Sequence, residues 1–138
     1  MKFDILLKNL TYLGLVPFIG IYMAILAGYD FIFEFKIYAA LILSFLGGIN
    51  WGVAMIKKNS IFLLKSVVVV ILCWLLFLIK DNIIFMIGLS LLYLLQLYFD
   101  LSLKNKKIYN IEFYNCRIKV TIIVVILLLS MILPILII

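Results

Sequence analysis

The sequence contains no histidine and only two cysteines, Cys73 and Cys116. Without imidazole there is no histidine general base, no axial histidine for a haem, and no usual zinc ligand set. Cys73 falls in an apolar segment and Cys116 in a predicted loop, so neither a disulfide nor a Cys-x-x-Cys site is expected. The sequence therefore predicts no metal and no other cofactor.

Acidic side chains are also scarce, with six Asp and Glu against 12 Lys and Arg. All six acids fall at the ends of apolar segments or in loops, so a paired-carboxylate active site or a proton-pumping acid within a membrane is not expected. No glycine-rich phosphate loop occurs, because Gly47 and Gly48 lie inside an apolar run. These absences favour a non-catalytic protein.

Apolar residues make up 69% of the chain, and its mean hydropathy is +1.38. Soluble domains contain about 45–50% apolar residues, so the bilayer must solvate most of this chain. We predict an all-α integral membrane protein, a five-helix bundle forming one domain over residues 1–138. The helices are predicted at residues 10–27, 37–56, 61–79, 83–99 and 120–138, with an amphipathic basic and aromatic loop at residues 100–119.

The first apolar segment follows a basic start, as a signal peptide would. It is long for a signal peptide and no small-x-small cleavage site follows it, so we interpret it as a membrane span. With five spans, one side of the bundle carries ten of the 12 basic residues, and only Lys36 and Lys80 lie on the other. The positive-inside rule then predicts a cytoplasmic N-terminus and a periplasmic C-terminus.

Small residues recur every fourth position along the second and first predicted helices. In lipid, such stripes allow helix backbones to approach closely. The two stripes either face each other or simply reflect the composition of membrane helices. The candidate packing residues are Ala40, Ser44, Gly47, Gly48, Trp51 and Gly52 on the second helix, and Gly20, Ala24 and Gly28 on and just after the first.

Three residues break the apolar pattern inside predicted spans. Pro17 lacks an N–H and crowds the carbonyl of Leu13, which predicts a kink in the first helix. Asn50 and Gln96 are candidate intramembrane polar contacts. Asn50 either bonds a neighbouring helix, as membrane amides commonly do, or lines a polar pocket.

Basic and aromatic residues alternate within the predicted loop at residues 100–119. This pattern is typical of segments that lie in the headgroup layer and bind anionic lipid on the cytoplasmic side. RNA binding is the other interpretation, but the loop is short and adjoins two membrane helices, so we expect no nucleic acid partner. The candidate headgroup contacts are Lys104, Lys106, Lys107, Tyr114, Arg117 and Lys119.

Residues 12–20 read YLGLVPFIG and residues 42–52 read ILSFLGGINWG. These runs resemble the transmembrane protein 69 family, also called domain of unknown function 3429. Its characteristic histidine is replaced here by Asn50, and its later aromatic and arginine step is echoed by Phe113, Tyr114 and Arg117. The resemblance implies a small multi-helix protein of the bacterial inner membrane, with the mitochondrial inner membrane as the alternative, and it implies no reaction.

Three functions remain open. The first is an accessory or assembly subunit of a larger membrane complex, with other membrane proteins as partners. The second is a small oligomeric transporter or channel with Asn50, Gln96 and Pro17 near its path. The third is a lipid-modifying membrane enzyme that uses Arg117 and the neighbouring lysines at a phosphate headgroup.

Overall fold

A computed structural model describes residues 2–102 and 111–137, and these fold into helices joined by short turns. The helices are α1 (Phe3–Leu13), α2 (Leu15–Leu26), α3 (Ile32–Lys57), α4 (Ser60–Phe77), α5 (Asn82–Leu101), α6 (Ile111–Ser130) and α7 (Ile132–Ile137).

Five helical units are long and apolar enough to cross a bilayer, which confirms the predicted class of fold. α1 and α2 together form the first unit, and α6 and α7 together form the last. Each intervening unit is one unbroken helix, because its apolar run contains no proline. Successive units run in opposite directions, so the start of α1, the end of α5 and the start of α6 lie at the same end of the bundle.

Both interrupted units break three residues before a proline. α1 ends at Leu13 and α2 begins at Leu15, so the break is at Gly14, ahead of Pro17. α6 and α7 are separated at Met131, ahead of Pro134. Proline cannot donate to the carbonyl four residues earlier and its ring crowds that carbonyl, so the preceding turn opens. The break at Gly14 thus lies within one turn of Pro17, where the sequence predicts a kink.

The turns on either side of α4 are closed by side chains that cap helices. Asn59 Oδ1 accepts a hydrogen bond from the Phe62 N–H at 3.1 Å and begins α4. Asp81 Oδ1 accepts from the Ile83 and Ile84 N–H groups at 2.8 and 3.2 Å and begins α5. Each cap satisfies backbone donors that a helix start leaves without partners.

α3 and α5 bury the largest shares of their apolar side chains and form the centre of the bundle. α3 packs against α2, α4 and α5, which places it centrally in the bundle. The Tyr93 hydroxyl on α5 donates to the Ala39 carbonyl on α3, which joins the two helices by a buried hydrogen bond. Ala39 and Tyr93 belong to one buried hydrophobic cluster that also includes Phe18, Leu43 and Leu89.

α3 approaches α4 closely at Gly47. This glycine lies outside the predicted stripe, which consists of Ala40, Ser44, Gly48 and Gly52. A Cβ at Gly47 would lie 3.0 Å from the Ser66 carbonyl oxygen and 3.2 Å from Val70 Cγ2, so α4 packs directly on this glycine. Among the described residues, nothing lies within 4 Å of a Cβ at Gly48 or Gly52. Positions four apart rotate by about 40° per step around a helix, so a stripe that begins in the core at Ala40 has turned outward by Gly52.

Of the two interpretations left open for the small-residue stripes, the described residues do not show them facing each other. Gly20 and Gly28 are exposed, and in the part of the chain that the structure describes no atom approaches a Cβ on either. α2 instead meets α3 through bulky side chains, with the ring of Phe18 edge-on to the rings of Phe35 and Tyr38. The Tyr38 hydroxyl also donates to the Gly14 carbonyl at 2.7 Å.

The last spanning unit begins at Ile111, nine residues before the predicted start at residue 120. Residues 111–119, assigned from the sequence to an amphipathic loop, form the first turns of α6. The charged residues in this stretch suggested a loop, but the central one, Arg117, is neutralised within the bundle. Residues 103–110 of the predicted loop lie outside the described residues.

Candidate functional site

The end of the bundle where α5 finishes and α6 begins holds a buried ion pair. Arg117 donates from Nη2 and from Nε to Asp100 Oδ2, at 2.8 and 3.0 Å. Each residue exposes only 4% of its surface. Both bonds are charge-assisted, the strongest class of side-chain hydrogen bond.

Local helix structure places both partners. Asp100 lies in the last turn of α5, and Arg117 is about 9 Å along the axis from the start of α6. α5 and α6 pack along each other, and Arg117 lies level with Asp100. Removing one member of a buried pair leaves an uncompensated charge, which typically costs about 3–5 kcal/mol.

Two buried amides extend this pair into a polar cluster, which consists of Asn50, Gln96, Asp100 and Arg117. Gln96 Nε2 donates to Asp100 Oδ1 at 3.2 Å, one turn earlier on α5. Asn50 on α3 interacts electrostatically with the same carboxylate. Neither amide atom of Asn50, nor Gln96 Oε1, has a hydrogen-bond partner among the described residues. The cluster thus joins three helices and retains unused hydrogen-bonding capacity.

The charges of the cluster compensate each other, so it offers neither a free acid nor a free base. Both oxygens of Asp100 accept hydrogen bonds, from Arg117 and Gln96. A further cation, Lys65 on α4, places Nζ 5.2 Å from the centre of the Phe99 ring, next to Asp100 along α5. Lys65 therefore belongs to the same end of the bundle, as expected for a lysine one turn inside its helix.

A cavity of about 310 Å³ lies beside the cluster, between the first span, α3 and α6. Its walls are mostly apolar and include the rings of Phe18, Phe45 and Phe113, with Tyr93 from α5. Arg117 and Thr121, one turn apart on α6, are the polar residues of α6 in this lining. The volume is at the lower end of the range of about 300–1,000 Å³ for small-molecule sites.

The structure revises two of the predicted lipid-headgroup contacts. Tyr114 and Arg117 are buried, Arg117 in its ion pair with Asp100, so neither faces a headgroup layer. Lys119 is exposed on α6 and remains a candidate. Lys104, Lys106 and Lys107 lie outside the described residues. Arg117 is drawn inward because a buried carboxylate on α5 balances its charge.

Asp100 is the residue of the site that the sequence reasoning missed. Its place at the end of an apolar run indicated a loop boundary, and the structure shows it to be buried. Its spacing from Gln96 could have indicated its position, since residues four apart share one helix face and Gln96 was expected inside the membrane. Cys116 was likewise expected in a loop and is buried within α6, while Cys73 is buried within α4, as expected of an apolar segment.

Residues 2–102 and 111–137 contain no group of three or more Cys, Asp or Glu side chains arranged to hold a metal ion. The groups present at the site are suited to recognition. The site can donate hydrogen bonds from Arg117 and Thr121 to a molecule in the cavity, and its amides can bond a polar group or water.

Comparison with known proteins gives one match. A family model described as "Protein of unknown function (DUF3429)" matches residues 4–133, which include every residue of the cluster and of the cavity lining. This confirms the family expected from residues 12–20 and 42–52, while the transmembrane protein 69 name stays a prediction. No curated protein and no solved structure matches the chain.

Proposed function

We propose, from the premise that the chain belongs to the DUF3429 family of proteins of unknown function, that it is a non-catalytic subunit of a larger membrane assembly. We further propose a bacterial inner membrane as its location, with the N-terminus in the cytoplasm. The ten-to-two distribution of basic residues between the two ends of the bundle supports this orientation.

One observation carries the assembly proposal, namely the small residues of α3 that the bundle itself leaves uncovered. Gly48 and Gly52 lie one turn apart, and a Cβ on either would meet nothing within 4 Å among the described residues. Glycine lowers helix stability and offers little side-chain surface to lipid. Its presence at these positions is explained if a helix of another protein packs closely against α3. The exposed Trp51 and Met55 beside them offer such a helix further contact area.

The polar cluster supports the non-catalytic part of the proposal. Both oxygens of the buried acid, Asp100, already accept hydrogen bonds, from Arg117 and Gln96. A compensated pair of this kind fixes the relative position of two helices. It suits a subunit whose task is to present a defined surface.

The experiment is sizing after gentle solubilisation from the native membrane, with identification of proteins that migrate with the chain. Wild-type protein is compared with Gly48→Leu, which fits the isolated bundle because the added side chain points into open space. Leu91→Phe, an equally exposed change on α5, is the matched control. We expect wild type and Leu91→Phe to migrate in a larger assembly and Gly48→Leu to migrate alone. Migration of the wild type alone would overturn the proposal.

The unpartnered amides favour a second candidate, a transporter or channel built from several copies. Asn50 and Gln96 are fully buried, and within the part of the chain that the structure describes neither the Asn50 amide nor Gln96 Oε1 makes a hydrogen bond, as in residues that line a polar path. The test is solute flux through vesicles containing the purified protein. This candidate requires flux that Asn50→Leu abolishes, and a homo-oligomer in the sizing experiment.

A further inference from the structure

The cavity beside the ion pair opens sideways toward the lipid. Leu10 of α1 and Phe45 of α3 both line it, and they are 56% and 65% exposed on the outer surface of spanning helices. Opposite this rim the cavity ends at buried side chains of α6 and at Tyr93. A molecule dissolved in the bilayer can therefore enter without crossing the polar end of the bundle.

The inner end of the cavity carries hydrogen-bonding groups with capacity to spare. The bonds to Asp100 use two of the five N–H groups of Arg117, a residue that also lines the cavity. Thr121 lines it one turn further along α6, is 1% exposed, and has an Oγ1 without a hydrogen-bond partner in the described residues. A buried hydroxyl without a partner is unfavourable, so a ligand that bonds it would be stabilised.

The charge of the site decides which molecules suit it. Asp100 already neutralises Arg117, so an anion in the cavity would leave a net negative charge in a medium of low dielectric constant. A neutral molecule with an oxygen that accepts hydrogen bonds avoids this cost. The guanidinium and the hydroxyl can both donate to such an oxygen.

The side chains that line the cavity narrow the class of ligand further. Four aromatic rings contribute to the lining, from Phe18, Phe45, Tyr93 and Phe113. Aromatic walls favour a flat ring through offset and edge-to-face contacts. A neutral, lipid-soluble ring that carries a carbonyl oxygen has the structure of a quinone headgroup.

We propose that this cavity binds the headgroup of a membrane quinone, with one carbonyl oxygen accepting hydrogen bonds from Arg117 and Thr121 and the ring lying among the aromatic side chains. The tail leaves through the lateral opening between Leu10 and Phe45. Asp100 acts as a positioning residue that holds the guanidinium and balances its charge.

The test is equilibrium binding of decylubiquinone to the full-length purified protein in lipid nanodiscs. We expect saturable binding that Thr121→Val weakens by about tenfold, the value of one hydrogen bond, and that Thr121→Ser largely restores. Thr11→Val is the matched control: Thr11 lines the same cavity, but its hydroxyl already bonds the Leu7 carbonyl at 2.7 Å. This control is expected to bind within about twofold of wild type.

Two further ligands distinguish binding of a quinone from binding of other lipid-soluble molecules in the cavity. Decanoate tests an anionic amphiphile and dioctanoylglycerol tests a neutral ester lipid without a flat ring. Tighter binding of either than of the quinone would overturn the proposal. So would the absence of saturable quinone binding, or equal losses in Thr121→Val and Thr11→Val. Thermal melting of each variant verifies that the bundle is folded.

Discussion

The buried pair of Asp100 and Arg117 explains why residues 111–119 are helical although their charges indicate a loop. Arg117 is the single arginine among 12 basic residues, and it is buried within the bundle. A guanidinium can bond one carboxylate through two nitrogens, which an ammonium cannot do with the same geometry. The pair therefore allows α6 to continue through a stretch whose charges otherwise indicate a loop.

Energetic coupling between these two residues is a direct expectation. Arg117→Leu or Asp100→Leu alone leaves one buried charge and should lower the free energy of unfolding by about 3–5 kcal/mol. The double variant should lose much less than the sum, because no isolated charge remains. Denaturant unfolding in detergent, followed by circular dichroism, measures all four proteins. Additive losses would show that the pair does not act as a unit.

Gly47 is the second residue whose role follows from its contacts. Gly47→Ala places a methyl group 3.0 Å from the Ser66 carbonyl oxygen, which belongs to the backbone of α4 and cannot move aside freely. We expect a loss of about 1–3 kcal/mol in the free energy of unfolding. Gly48→Ala, with open space around the new methyl group, is the adjacent control and should be neutral or slightly stabilising. Equal effects of the two changes would contradict the packing described for α3 and α4.

Elements were predictable from the sequence where one local cause determines them. Apolar runs of spanning length predict the five units, Pro17 predicts the break at Gly14, and Asn59 and Asp81 lie at the turns that they cap. The start of α6 was not predictable in this way. It depends on Asp100, which belongs to another helix. A hydropathy profile treats Arg117 as an exposed charge, because the profile contains no information about the residue that neutralises it.

The face of an element was harder to predict than its presence. The i, i+4 pattern of small residues on α3 suggested one contact surface, but its drift around the helix separates Ala40 in the core from Gly48, which is exposed. The observed inner face follows mixed spacings of three and four through Leu43, Gly47, Asn50 and Ala54. The sequence named Asn50, Gln96 and Arg117 as notable, but only the packed helices bring them together.

At the scale of the whole molecule, the two ends of the bundle differ in charge. One end carries most of the lysines and the ion-pair cluster. At the other end Lys36 donates to Asn82 Oδ1 at 3.0 Å and lies 4.4 Å from the centre of the Phe85 ring. Lys36 is thus held inside the bundle by a hydrogen bond and an aromatic face, which leaves Lys80 as the exposed lysine of the turn before α5.

This asymmetry predicts one orientation in the membrane. In a variant with Cys73 and Cys116 replaced by alanine, Lys58→Cys should react with a membrane-impermeant maleimide only from the cytoplasmic side. Lys80→Cys should react only from the opposite side. Labelling of intact cells and of inverted vesicles compares the two. Labelling of both positions from the same side would exclude the five-span topology, and reversed accessibility would exclude the proposed orientation.

We propose that the uncovered surface of α3 binds another membrane protein. The most direct measurement is photo-cross-linking in intact membranes, with a photoreactive phenylalanine analogue placed at Gly52 and, as the control, at Leu91 of α5. We expect a discrete adduct with a different protein from position 52 and none from position 91. Adducts with lipid alone, or with a second copy of this chain, would contradict it.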